Sequence, residues 1–169
     1  MTIRICTAED AALIAELGRR TYDDTFRQLN DPKIMDAYLK KTFNIAVMRE
    51  ELSDPDSVTA LLSEHDLHAG YLKMNFPPAQ SDFNREGSME LQRIYVLREF
   101  KRRGYGRALI EYAKEMAEKR NCTSIWLSVW EENPEAVSFY EKMGFYKSGR
   151  RIFMMAGEEQ SDFVLTYDL

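Results

Sequence analysis

Two glycines spaced one residue apart, Gly104 and Gly106, sit in the basic run Lys101-Arg102-Arg103-Gly104-Tyr105-Gly106-Arg107. Residues of these types in this order suit a phosphorylated anion. Glycines admit a ligand close to the backbone amides, and the cations supply charged donors for phosphate oxygens. A turn of this kind that opens a helix adds the free amides and dipole of the helix N-terminus. Taken alone, the segment fits a basic loop with ordinary capping glycines equally well. A Walker-type loop needs glycine followed directly by lysine and then serine or threonine, whereas Gly106 is followed by Arg107 and Ala108. A dinucleotide fingerprint needs a third glycine three positions on, where this chain has Leu109. Neither of those alternatives fits.

The apolar spacing predicts the elements that hold the loop. Residues 90–97 read as a strand entering it and residues 105–120 as a helix leaving it. Tyr105, Leu109, Tyr112, Ala113 and Met116 recur at steps of three and four, so one stripe can pack on a sheet while Arg107, Glu111, Lys114 and Glu118 face water. Upstream, a strand over 2–6 leads to a helix carrying Leu13, Leu17 and Tyr22. Asp31-Pro32 starts a second helix, and Asn44 caps a third that reaches Leu52. Residues 57–63 and 67–76 predict a hairpin across Glu64-His65-Asp66, ended by Pro77-Pro78. The polar stretch 79–87 reads as an exposed, mobile loop. Downstream, 124–130 is a strand in which Trp126 and Trp130 share a face and read as core. Asn133-Pro134 starts a helix that Gly144 stops, and strands over 145–150 and 162–167 follow. The order predicts an α/β fold, a mixed sheet of six or seven strands with helices on both faces.

Composition narrows the function classes. A chain of 169 residues with 44% hydrophobic and 30% charged residues fits one compact domain over 1–169. The net charge of −5 argues against nucleic acid as a partner and mildly favours cationic substrates. Apolar runs are strand-sized, which predicts no membrane span, and the polar N-terminal region without a signal core predicts a cytoplasmic protein. Cys6 and Cys122 make no disulfide framework or zinc spacing, and His65 and His68 flank a turn without further ligands, so no metal is expected.

The stretch Leu91-Gln92-Arg93-Ile94-Tyr95-Val96 through Lys101 to Ile110 resembles the fourth strand and pyrophosphate loop of the GNAT superfamily of N-acetyltransferases. Asn133-Pro134-Glu135-Ala136 through Phe139-Tyr140 to Phe145 resembles that family's second signature, and the element order extends the resemblance over essentially the whole chain. Lys101 departs from the glutamine or arginine usual at the first loop position, though it keeps a cation there. The resemblance implies the GNAT fold with a mostly antiparallel sheet, and acetyl-CoA as co-substrate. It implies that the backbone of Ile94, Tyr95 and Val96 meets the pantetheine arm. Lys101, Arg102, Arg103, Gly104, Tyr105, Gly106 and Arg107 would enclose the pyrophosphate. Asn133, Glu135 and Ala136 would border the cofactor, with Lys142 near its adenosine end; a helix cap explains Asn133 equally well.

Within the superfamily the chain looks most like the PaiA-type polyamine acetyltransferases, carried by segments such as Thr21-Tyr22-Asp23-Asp24-Thr25-Phe26 and Gly157-Glu158-Glu159-Gln160-Ser161-Asp162. That implies spermidine or spermine as acceptor, with Tyr22, Asp23, Asp24 and Phe26 beside it, and is compatible with a homodimer. A protein or peptide amine is the rival acceptor, and a non-catalytic acetyl-CoA-binding regulator the rival class.

An alkylammonium titrates near 10.4, so transfer needs a group that removes a proton. Glu90, at the start of the strand entering the loop, is a candidate general base, acting directly or through a water; an exposed strand-edge glutamate is the plainer reading. Tyr140 matches the family's tyrosine that protonates the departing thiolate, against a packing role on the face of Ala136 and Met143.

Overall fold

The computed structural model describes all residues 1–169. The elements run β1 (Thr2–Ile5), α1 (Ala11–Phe26), α2 (Pro32–Thr42), α3 (Ile45–Ser53), β2 (Ser57–Glu64), β3 (Leu67–Asn75), β4 (Ser88–Val96), α4 (Tyr105–Lys119), β5 (Ser124–Trp130), α5 (Pro134–Lys142), β6 (Tyr146–Met155) and β7 (Glu158–Asp168). The seven strands form one sheet in the order β1-β2-β3-β4-β5-β7-β6. Every neighbouring pair is antiparallel except β4 with β5. Helices cover both faces, and no helix is long and apolar enough to cross a membrane.

The helix ends follow from their side chains. Asp31 accepts the amides of Lys33 and Ile34 at 2.8 and 3.4 Å, Asn44 that of Val47 at 3.0 Å, and Asn133 that of Ala136 at 3.2 Å. Each satisfies amides that a helix start leaves free. Helix α1 needs a small residue where α2 hands over to α3: a Cβ on Gly18 would meet the Phe43 ring at 2.3 Å. On α4 the buried stripe is Tyr105, Leu109, Ile110, Ala113 and Ala117. It is turned slightly from the predicted one, leaving Tyr112 and Met116 half-buried at its margin.

Alternation along the strands divides the core between two faces. Tyr71, Lys73, Arg93 and Tyr95 point toward α1 to α3, where Tyr22 packs on Tyr95 and Glu51 meets Lys73 and Arg93. The opposite face takes α4. One β-bulge changes the sheet at a decisive place: Lys73 pairs with Arg93 and Met74 with Leu91, so Gln92 is an extra residue on β4. A bulge bends and twists the strand that carries it.

The segment between β3 and β4 corrects an expectation. Gln80 is buried, donates to the Ser88 carbonyl at 2.9 Å, and accepts from the Trp126 indole at 3.2 Å and the Arg85 amide at 3.0 Å. Its first half is thereby anchored to the sheet; residues 81–87 are exposed as the polar composition predicts.

Candidate functional site

Strands β4 and β5 pair only through Ser88 with Ser124, Met89 with Ile125 and Glu90 with Trp126. Beyond that point β4 runs to Val96 and β5 to Trp130 without pairing, and the Gln92 bulge lies just past the last pair. The two strands therefore open into a wedge. Their outer edges remain bonded to β3 and β7, so the backbone groups facing the wedge have no strand partner. Such groups must find hydrogen bonds elsewhere, and an amide-bearing ligand can supply them.

A cavity of about 1040 Å³ fills this wedge and continues on both sides of the sheet. Its walls include Leu91 to Val96 of β4 and Ser128, Val129 and Trp130 of β5. At one end lie Lys101, Arg102, Gly104, Gly106 and Arg107 with Asn133, Glu135, Ala136, Phe139 and Tyr140. At the other lie Tyr22, Asp24, Phe26, Tyr38, Phe153 and Asp162. Its volume sits at the upper end of the roughly 300–1,000 Å³ common for ligand sites, which suits two substrates meeting in one space.

The basic end is built by backbone conformation. Arg102 and Gly104 have φ of 62° and 84°, both left-handed, and Gly104 immediately precedes α4. The first bond of that helix, from the Ala108 amide to the Gly104 carbonyl at 3.0 Å, leaves the amides of the opening turn for a ligand. A Cβ on Gly104 would meet nothing within 4 Å, so its backbone, not crowding, demands glycine. Gly106 serves differently: a Cβ there would reach Phe139 at 3.2 Å, so its absence lets α5 approach α4. The two sequence motifs are thereby brought to one wall.

Tyr140 is half-buried on that wall, edge-on to Phe139 and Phe145 at centroid distances of 5.3 and 5.9 Å. Burial pushes its phenol above the ordinary tyrosine value, with no charged partner offsetting it. A phenol so placed is neutral at physiological pH and has a proton to give.

Several residues singled out in the sequence fall outside the cavity lining. Arg103 lies over the Phe100 ring at 5.5 Å, Tyr105 is buried against the same ring, and Lys142 is exposed at the end of α5. Asp23 accepts from Arg27 Nε at 2.6 Å, away from the neighbouring Asp24 that does line the cavity. Glu90 corrects the expectation of an exposed edge residue, being 2% accessible. Its Oε2 accepts from Asn75 Nδ2 at 2.9 Å and from the Ser81 amide at 2.7 Å, and its Oε1 from the Ser81 hydroxyl. A carboxylate held by three donors beneath the sheet surface has no direct line to the cavity. Trp126 is core as expected, but Trp130 is half-buried on the cavity wall against Phe26.

Sequence reasoning missed the charged groups at the aromatic end. Arg93 donates from Nη1 and Nη2 to the two oxygens of Glu51 at 2.6 and 3.1 Å, and Lys73 Nζ lies 3.0 Å from the same carboxylate. Burial works to raise the Glu51 carboxyl, and Arg93 and Lys73 outweigh it and hold it below its usual value. Burial, reinforced by Arg93, pushes the Lys73 ammonium down. Tyr22, Tyr38, Tyr71 and Tyr95 surround this network. Asp162 was missed as well, although it alternates with Val164 and Thr166 along β7, a pattern that sets a carboxylate among buried positions.

The comparisons agree with this geometry. The family described as acetyltransferase (GNAT) matches residues 20–145. An uncharacterized N-acetyltransferase of the pepI 3' region in Lactobacillus delbrueckii subsp. lactis is 34% identical over 149 residues, covering 88% of this chain and 86% of its own. A probable spermine N(1)-acetyltransferase from Bacillus subtilis subsp. natto is 28% identical over 94 residues, 55% of this chain and 61% of its own. The fold is similar to the crystal structure of the PaiA N-acetyltransferase from Thermoplasma acidophilum in complex with coenzyme A, with a TM-score of 0.80, 18% identity and full coverage of both chains.

Proposed function

Because this chain belongs to the acetyltransferase (GNAT) family and is an acetyl-CoA-dependent N-acetyltransferase, we propose that its acceptor is a small polyamine such as spermidine or spermine. The observation that carries this reading is the aromatic end of the cavity, where Tyr22, Phe26, Tyr38 and Trp130 accompany the carboxylates of Asp24, Asp82 and Asp162. Aromatic faces and carboxylates both attract alkylammonium groups, and the chain's net charge of −5 draws polycations toward it. The relative whose name specifies spermine supports the same class.

In this reading the amides that open α4, with Lys101, Arg102 and Arg107, bind the pyrophosphate of acetyl-CoA. The free edge of Ile94 to Val96 meets the pantetheine amides, and Asn133, Glu135 and Ala136 close the opposite wall. The acceptor enters from the aromatic end. The lone pair of its neutral nitrogen attacks the thioester carbon, a C–N bond forms, and the C–S bond breaks. The reacting nitrogen, docked as an ammonium, loses one proton to solvent before the attack and a second after it, and the Tyr140 hydroxyl protonates the departing sulfur and regains its own proton from solvent. A strand amide near Val96 steadies the developing oxyanion. Glu90 is assigned to holding the 80–82 segment in place, since its oxygens are occupied by Asn75 and Ser81.

The test is release of free thiol from acetyl-CoA by purified protein offered spermidine, spermine, aminoglycosides and peptides with free N-termini. Turnover with polyamines at kcat/KM well above the others is expected. Turnover confined to peptides would replace the polyamine by a protein acceptor.

A further inference from the structure

Asp162 lies on β7 opposite Trp130 of β5 and Arg151 of β6. Strand alternation gives it the same face as Ser128 and Trp130, the face toward α1. Only 6% of its surface is accessible, yet it lines the cavity. Removing a carboxylate from water is costly unless a cation and hydrogen bonds replace the hydration. Here the replacement is incomplete. The cation beside it, Arg151, brings Nε no closer than 3.9 Å to Oδ2, beyond hydrogen-bond range, and that buried Nε has no partner at all.

Arg151 is committed elsewhere. Its Nη1 donates to Ser81 Oγ at 3.3 Å and lies 3.8 Å from Asp82, and its guanidinium sits over the Trp126 ring at 5.9 Å. Burial pushes the Asp162 carboxyl above the usual aspartate value, with Arg151 and the Ser128 hydroxyl drawing it back and Glu131 adding to the rise. The aromatic wall beside it is continuous: Phe26 packs 4.4 Å from Tyr22 and 6.1 Å from Trp130, by ring centroids.

From this placement we infer that Asp162 is the residue that anchors the acceptor's cationic nitrogen and so sets its specificity. An alkylammonium group entering along Phe26 and Trp130 gives the carboxylate the close cation that Arg151 does not. The aromatic faces take the charge or the methylene chain. The inference deepens the amine-acceptor reading and rests on it, but not on the acceptor being a polyamine. A neutral acceptor of equal size would leave the buried charge uncompensated and is discriminated against.

Steady-state kinetics of wild type and Asp162→Asn, with spermidine, a short diamine and an N-terminal peptide as acceptors, test it. The variant keeps the shape of the side chain and removes its charge. For whichever amine the wild type acetylates best, KM is expected to rise tenfold or more while KM for acetyl-CoA stays within twofold. The melting temperature is expected to hold or rise, because a poorly paired buried charge has been removed. An amine KM within twofold of wild type overturns the inference. So does a fall in melting temperature with both KM values rising together, the signature of a carboxylate that only braces Arg151. Turnover of the peptide but no polyamine removes the polyamine reading and leaves Asp162 judged by the peptide's KM. Failure of every amine to bind or react, with titration calorimetry as the check on binding, overturns both.

Discussion

Glu90 fastens Ser81 to the sheet, its Oε2 accepting the Ser81 amide at 2.7 Å and its Oε1 the Ser81 hydroxyl. This contact joins the last position at which β4 pairs with β5 to the segment that carries Asp82 and supports Arg151. It also determines what Glu90 can do, because a base must reach the proton it removes.

Substituting Glu90→Gln replaces one acceptor oxygen by a donor amide facing Ser81 or Asn75. Leaving a buried polar group mismatched costs about 1–3 kcal/mol, which denaturant unfolding reads directly. The pH profile of kcat is expected to keep its shape. A drop in kcat of a hundredfold with stability unchanged would restore Glu90 as the general base.

What the sequence made legible was local, and what it hid was long-range. Asn133-Pro134 and Gly144 bracket α5 because caps act on neighbouring amides, and Gly104 follows the basic run whose turn needs it. The Gln92 bulge is different, since a register exists only between two strands. Trp126 and Trp130 alternate alike, yet one is core and the other cavity wall because β4 leaves β5 between them. The pairing of Arg93 with Glu51, 42 positions apart, and the anchoring of Gln80 beneath Trp126 likewise follow from the assembled fold rather than from any local pattern.

Gly104 offers a way to separate backbone strain from charge at the basic loop. At φ of 84° with open space around its Cβ position, Gly104→Ala meets no clash and bears only the left-handed penalty, roughly 1–2 kcal/mol. Its affinity for acetyl-CoA is expected to fall by about thirtyfold or less. Gly104→Glu adds an anion beside the pyrophosphate and is expected to abolish binding. Titration calorimetry with acetyl-CoA measures both, and wild-type affinity in the glutamate variant would remove the pyrophosphate from this loop.

Tyr140 distinguishes chemistry from cofactor binding. Its ring is held by Phe139 and Phe145 and the residue lines the cavity, so Tyr140→Phe preserves packing and removes a proton donor. Burial keeps that phenol protonated well above neutral pH, so the loss is expected across the whole physiological range rather than at one end of it. Acid catalysis by one group is worth about 10²–10⁴ in rate. A fall in kcat of that size, with KM for acetyl-CoA nearly constant, is the expected result in a thiol-release assay. A variant with full kcat would mean that the leaving thiolate takes its proton from water, and would return Tyr140 to packing against Phe139 and Phe145.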